Sequence, residues 1–188
     1  MNTKSRSIAE QGETQFAKLI FRRVSATVGT ILMVLGFLVP GAIAGTTVST
    51  ADQDFIQAAA QGGMTEVKLG ELAAQKGVRD DVKEFGQMMV KDHSAINSDL
   101  KALAAQKGVA LPDSLDAKHQ GMIDKFSALT GSAFDDAYIA AMIKGHKKDA
   151  KAFNAESAAT QDPDIKGFVD KSIPVVESHL QHVTAMKK

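Results

Sequence analysis

Apolar residues recur along most of this chain at spacings of three and four, the period that keeps one face of a helix against a core. One stripe runs Val82, Phe85, Met89, Ile96, Leu100 and Leu103. Others run through Phe134, Tyr138, Met142 and Phe153, and through Ile165, Phe168, Val176, Val183 and Met186. A further stripe carries Phe55, Ala59, Gly62, Leu69 and Ala73. Nowhere do several residues alternate as a half-buried strand requires. The pattern predicts long helices at about 52–76, 79–107, 132–159 and 163–186, with a short one at about 115–129.

The punctuation supports these boundaries. The words Leu-Ala-Ala-Gln-Lys-Gly-Val occur at 72–78 and 103–109 and read as a repeated stop signal. In that reading Gly77 and Gly108 close their helices in the left-handed conformation, and Val78 and Val109 fold back onto the last apolar turn. Ser132 with Asp135 resembles a capping box, while Asp162-Pro163 supplies an N-cap and an N1 proline. Gly62, Gly63 and Gly70 weaken the first helix, so close packing against a neighbour is expected there. Pro174 should kink the last helix one turn before His179. Short connections near Gly77 and Gln161 make antiparallel neighbours, and the 108–131 stretch is long enough to return along the bundle. The expected fold is all-α: a ferritin-like antiparallel four-helix bundle with a short fifth helix in the crossover between the second and third long helices.

Polar residues interrupt all four stripes. His93 stands between Met89 and Ile96, His146 follows Met142, His179 follows Val176, and Glu66 shares its face with Gly62 and Leu69. Asp149 lies one turn beyond His146. An isolated buried polar group costs about 1–3 kcal/mol, so these residues are expected to meet at one site between the helices. Neutral imidazoles with carboxylates suit iron, zinc, manganese or copper. A dinuclear iron site of the ferritin type needs Glu-x-x-His on two helices. The residues three before His93, His146 and His179 are Val90, Ile143 and Val176, which disfavours ferroxidase chemistry. Asp116 and His119 have the spacing but lie in the crossover. His182 falls off the stripe and is expected at the rim, and His119 is expected to be partly buried.

Composition narrows the function classes. The chain has 188 residues, 44% of them hydrophobic, enough for one helical domain. Cysteine is absent, which removes disulfides, thiol chemistry and a lipid anchor on cysteine. The 22 basic and 22 acidic residues cancel, with no basic patch interleaved with aromatics, so no nucleic-acid partner is expected. Met64, Met88, Met89, Met122 and Met142 lack the tight clustering of a copper box and read as core filler. The group Lys144, Lys147, Lys148 and Lys151 reads as a solvated helix face. No nucleophile, histidine and acid arrangement has catalytic spacing.

The first 44 residues have the order of an export signal. Lys18, Arg22 and Arg23 precede an apolar run densest at 31–39, and Pro40 breaks it before Ala42-Ile43-Ala44. The expected organisation is a signal peptide at 1–44, a linker at 45–51 and the bundle at 52–188, in the periplasm. The alternative is a retained anchor facing the periplasm, because 24–44 is about long enough to span a bilayer. A membrane would then be met only through this segment. An envelope protein partner and a homo-oligomer both stay open.

Four motifs in order carry a family resemblance: residues 58–70 (Ala-Ala-Ala-Gln-Gly-Gly-Met-Thr-Glu-Val-Lys-Leu-Gly), residues 89–93 (Met-Val-Lys-Asp-His), Phe134-Asp-Asp-Ala-Tyr138 with Met142 and His146, and Pro174 with His179-Leu180. Together they resemble an exported bacterial ferritin-like family catalogued as a domain of unknown function and often labelled an outer membrane protein. The resemblance implies a ferritin-like bundle in a Gram-negative periplasm and no established reaction. Two readings follow. One is a non-enzymatic envelope or stress-related protein whose buried histidines hold the fold, with Glu66, Tyr138 and Asp149 as their partners. The alternative is a metal-binding protein using Glu66, His93, His146, Asp149 and His179.

Overall fold

The computed structural model describes residues 48–187; the segment expected to be an export signal or an anchor, with its expected cleavage point, lies outside them. The described chain forms α1 (Thr50–Lys76), α2 (Asp80–Lys107), α3 (Ala117–Ala128), α4 (Gly131–Ala159) and α5 (Pro163–Ala185). Four are long and α3 is short, and the described residues contain no strand. None of these helices is long and apolar enough to cross a membrane.

Contacts at the helix ends define the arrangement. Asp135, near the start of α4, accepts hydrogen bonds from the Val78 and Arg79 backbone amides in the α1–α2 turn. Glu156, near the end of α4, pairs with Asp52 in the first turn of α1. Helix α4 therefore runs antiparallel to α1. At the other corner, Lys107 at the end of α2 reaches Asp162 at 2.7 Å and Asp164 at 2.6 Å at the start of α5. Arg79 at the start of α2 donates to the Met186 carbonyl beyond α5, so α2 and α5 are antiparallel too. The crossover is tied along α1: Gln61 bonds Ser114 and Asp116, and Lys76 bonds the Ser127 carbonyl. It carries the chain back to the α1–α2 turn, as its length predicts.

Two sequence readings of the helix ends change. The repeated words do not end their helices alike. Gly108 is left-handed (φ 68) and its Val109 is buried, whereas Gly77 is extended (φ −54, ψ 138) and Val78 is 60% exposed. Gly77 is needed for space instead, since a Cβ there would stand 2.7 Å from the Ala73 carbonyl. The Ser132–Asp135 capping box gives way because Asp135 turns outward from its own helix to satisfy the α1–α2 turn. Ser49, Asp116 and Asp162 supply the side-chain N-caps of α1, α3 and α5. Helix α5 continues through Pro174.

Helices α1 and α2 approach closely where Gly70 faces Gly86: a Cβ on Gly86 would fall 2.7 Å from the Gly70 carbonyl oxygen and 2.8 Å from Ala73 Cβ. The expectation of close packing holds for Gly70 and for Gly63, which lies against Asn97, but not for Gly62, which has open space around it. The core falls into two parts. One gathers Leu69, Phe85, Met89, Phe134, Tyr138, Met142 and Val183; the other gathers Ile56, Leu100, Leu103, Phe153, Ile165 and Phe168. On α1, α2 and α4, residues 66, 93 and 146 fall between the two groups; on α5, His179 falls between Val169 and Val183. A polar layer therefore divides the core. Among the methionines read as core filler, Met89 and Met142 are buried, Met64 and Met88 are half-buried, and Met122 is exposed.

Two outcomes test this packing. Gly86→Ala should lower the urea midpoint clearly, because its neighbour is backbone, while Gly62→Ala should raise stability by up to about 1 kcal/mol. The second concerns Glu156, whose carboxyl is pushed up to about 7 from 4.5 by burial and by the hydrogen bond and charge of Asp52. A raised folded-state pKa contributes stability that is full below 4.5 and is lost as pH rises through about 7. Subtracting the stability profile of Glu156→Gln from that of the native protein should isolate this loss; a difference profile that is flat across the window would rule it out.

Candidate metal centre

Each helix of the bundle delivers its polar residue to the layer between the two halves of the core. His93 (α2), His146 (α4) and His179 (α5) are 3%, 0% and 1% exposed. Their ring centroids are 5.6 Å (93–146), 5.2 Å (93–179) and 5.5 Å (146–179) apart. One nitrogen from each ring lies within 4.8 Å of the others. Glu66 of α1 joins them, with Oε2 at 3.0 Å from His93 Nδ1 and Oε1 at 3.7 Å from His146 Nε2. The close α1–α2 approach at Gly70 and Gly86, one turn beyond Glu66, lets this short carboxylate reach across to α2.

Each ring is held from outside by one of its nitrogens. His93 Nδ1–H donates to Glu66, His146 Nδ1–H donates to the Met142 carbonyl at 2.9 Å, and His179 Nε2–H donates to Asp92 at 3.0 Å. The remaining nitrogens face one another: His93 Nε2 lies 3.2 Å from His179 Nδ1. Two lone pairs at that distance repel, so a proton or a cation belongs between them. The proton fits His93. Burial opposes its charge, but the Glu66 carboxylate outweighs burial and raises its pKa. Burial lowers the pKa of His146 and of His179, leaving both neutral, in His179 against the pull of Asp92. Glu66 is held below the usual carboxylate range, its burial overcome by His93 and the other imidazoles.

His146 is the exception to this satisfaction. Its Nδ1 carries the proton given to Met142, so Nε2 is a bare acceptor, fully buried and without a hydrogen-bond partner. It faces a carboxylate oxygen, another acceptor. A transition-metal ion is the kind of group that such a pair lacks. Outward hydrogen bonds from ligand rings to carboxylates and carbonyls are also the usual outer shell of a histidine metal site. A buried cluster of three histidines beside Glu66 and Asp92 thus has the donor set that a transition metal takes.

Other expectations fare differently. Asp149 lies next to Glu66 rather than against an imidazole; burial and then the Glu66 charge push its carboxyl up to about 7, and it hydrogen-bonds Glu66 as an acid. Tyr138 does not satisfy a histidine: its hydroxyl is buried without a partner. His182 is exposed, its ring edge-on to Phe85 at 5.3 Å, and His119 is half-buried and bonded to Asp116 at 2.8 Å in the crossover. Asp92 is not marked by the apolar spacing because it sits beside the α2 stripe, where a charge passes for a solvated one. Its adjacency to His93 was the available signal.

Comparison with known proteins gives a fold and a family. Among solved structures, the DUF305 fragment from Deinococcus radiodurans is similar at a TM-score of 0.64 with 11% identity, over 74% of this chain and 96% of that one. CopM in the Cu(I)-bound form is similar at 0.61 with 18% identity, over 72% and 94%. CopM in the Ag-bound form obtained by soaking is similar at 0.59 with 18% identity, over 72% and 93%. At such identities the likeness shows the fold. No curated protein matches the chain. Residues 38–186 match the family described as Domain of unknown function (DUF4142), and the chain belongs to that family.

Proposed function

We propose that this protein binds a transition-metal ion between its four long helices, through His93, His146, His179 and the Oε1 oxygen of Glu66, and serves as a binding protein of the cell envelope rather than as an enzyme. The observation that carries the reading is the bare, buried His146 Nε2 facing a carboxylate oxygen at 3.7 Å. In a network that served the fold alone, a donor would stand there, since an unsatisfied buried acceptor costs about 1–3 kcal/mol. The proton on His93 Nε2 would leave when the ion arrives, so affinity falls as pH is lowered. Asp92 and Asp149 stay outside the ligand set, the first orienting His179 and the second holding Glu66.

Imidazole nitrogens and a carboxylate accept copper, zinc and iron alike. Copper is the first ion to test, because CopM, a protein of similar fold, was obtained in Cu(I)-, Cu(II)- and Ag-bound forms. The order of basic residues, apolar run and Ala42-Ile43-Ala44 supports export to the periplasm with removal of 1–44.

Untagged protein titrated with Cu(II) or Zn(II) should bind one ion per chain and melt at a higher temperature when loaded. Asp92→Asn should weaken binding by about 10–100-fold, as expected of an outer-shell partner, and His146→Gln by more. Absence of a stoichiometric ion, or unchanged affinity in His146→Gln, would defeat the reading. In the metal-free protein, His93→Leu strips Glu66 of its donor and should cost about 1–3 kcal/mol in denaturant titration. His182→Gln, at the exposed rim, should stay within about 0.5 kcal/mol of the native protein.

A further inference from the structure

The polar layer has one side that leads to solvent. A cavity of about 460 Å³ lies between α1, α2, α4 and the crossover, and its lining includes Glu66, His93 and Asp149. At its outer end the lining includes Asp54, Asp116 and Lys148, all of them exposed. The lining thus passes from surface residues to one of the three buried imidazoles. Within the layer the Glu66 side chain is 13% exposed, against 4% for His93 and 0% for His146, so approach from this side meets Glu66 first.

We infer that this cavity is the path by which a hydrated transition-metal ion reaches and leaves the three imidazoles, with Glu66 as the first side chain of the layer that it meets. The inference rests on the metal reading above. Carboxylates of Asp54, Asp116 and Glu66 line the path beside the ammonium groups of Lys118 and Lys148, and offer an ion oxygen ligands from the surface inward. The volume admits an ion with several waters, each of which takes about 30 Å³ in the liquid. Water can therefore be exchanged for Glu66 and then for imidazole in steps, without unfolding of the bundle. An ion held this way is exchangeable cargo, unlike one sealed in a closed structural site.

Gly62 makes the path testable. It lines the cavity, and a Cβ placed there meets nothing within 4 Å, so a substitution starts from open space on the cavity wall. Native protein, Gly62→Leu and Gly62→Phe would be loaded with Zn²⁺ alone, and zinc transfer to the dye 4-(2-pyridylazo)resorcinol followed by stopped-flow absorbance beside equilibrium titration. The expected result is slowing of both uptake and release by about tenfold or more with little change in affinity. Gly167→Leu, on α5 with equally open space and outside the cavity lining, should exchange at the native rate. If a Gly62 variant fails to fold by circular dichroism, Ala58→Leu on the same wall gives the same comparison. Zinc that binds all variants at native rates overturns the path and points to approach past Asp92, which is outside the cavity lining and partly exposed. Native protein that binds no zinc or copper overturns the metal reading itself, a separate result.

Discussion

A carboxylate and three imidazoles lie between the two apolar halves of the core, and the rest of the structure is arranged around satisfying them. Such groups are tolerated in a low-dielectric interior only when each finds a partner, which restricts how the helices can slide or rotate against one another. A shift of one helical turn would place Glu66 or a histidine against leucine and phenylalanine. The polar layer therefore sets the register of four helices whose apolar faces, rich in Ala, Leu, Val and Met, would accept several. Polar contacts at the two ends reinforce that register: Asp135 on the α1–α2 turn, and Lys107 between Asp162 and Asp164.

Satisfaction is uneven across the layer, and the unevenness is informative about chemistry. His93 and His179 share one proton-sized gap, and both have acidic partners behind them. His146 has a backbone carbonyl behind it and a lone pair in front. All three rings thus have their outer nitrogens fixed and their inner ones turned toward a common point, which is preorganisation of the kind that binding requires. The arrangement differs from the paired Glu-x-x-His sites of dinuclear iron bundles: it takes one histidine from each of three helices, has no such pair in the layer, and sets Glu66 between two rings with Asp92 behind the third. A mononuclear, nitrogen-rich site is a better description of what these residues can form.

The helical hairpins contribute by proximity. Where Gly70 and Gly86 meet, backbone replaces side chain at the interface, and α1 comes near enough for Glu66 to reach His93 at 3.0 Å. On the α4 side no comparable glycine pair exists among the described residues, and the space left between α1, α4 and the crossover becomes the cavity beside Asp149. Tight packing on one flank and loose packing on the other give the layer both its geometry and its opening.

Helix periodicity alone specified five helices, the crossover and the four polar interruptions, because the spacing of apolar residues is a local property that survives in one dimension. It also placed Glu66, His93, His146 and His179 on faces that had to meet, since a buried polar residue on each stripe implies a partner on another. What it could not decide depends on which helix lies beside which. Asp92 became a partner of His179 only because α5 packs against the edge of α2, and Asp135 left its own helix end because the α1–α2 turn offered two unpaired amides nearby. Asp149, one turn from His146, was drawn to Glu66 and made an acid by burial in that company. Identical words at 72–78 and 103–109 ended their helices differently, for the same reason: Gly77 is squeezed by the turn into α2, while Gly108 opens freely into the crossover.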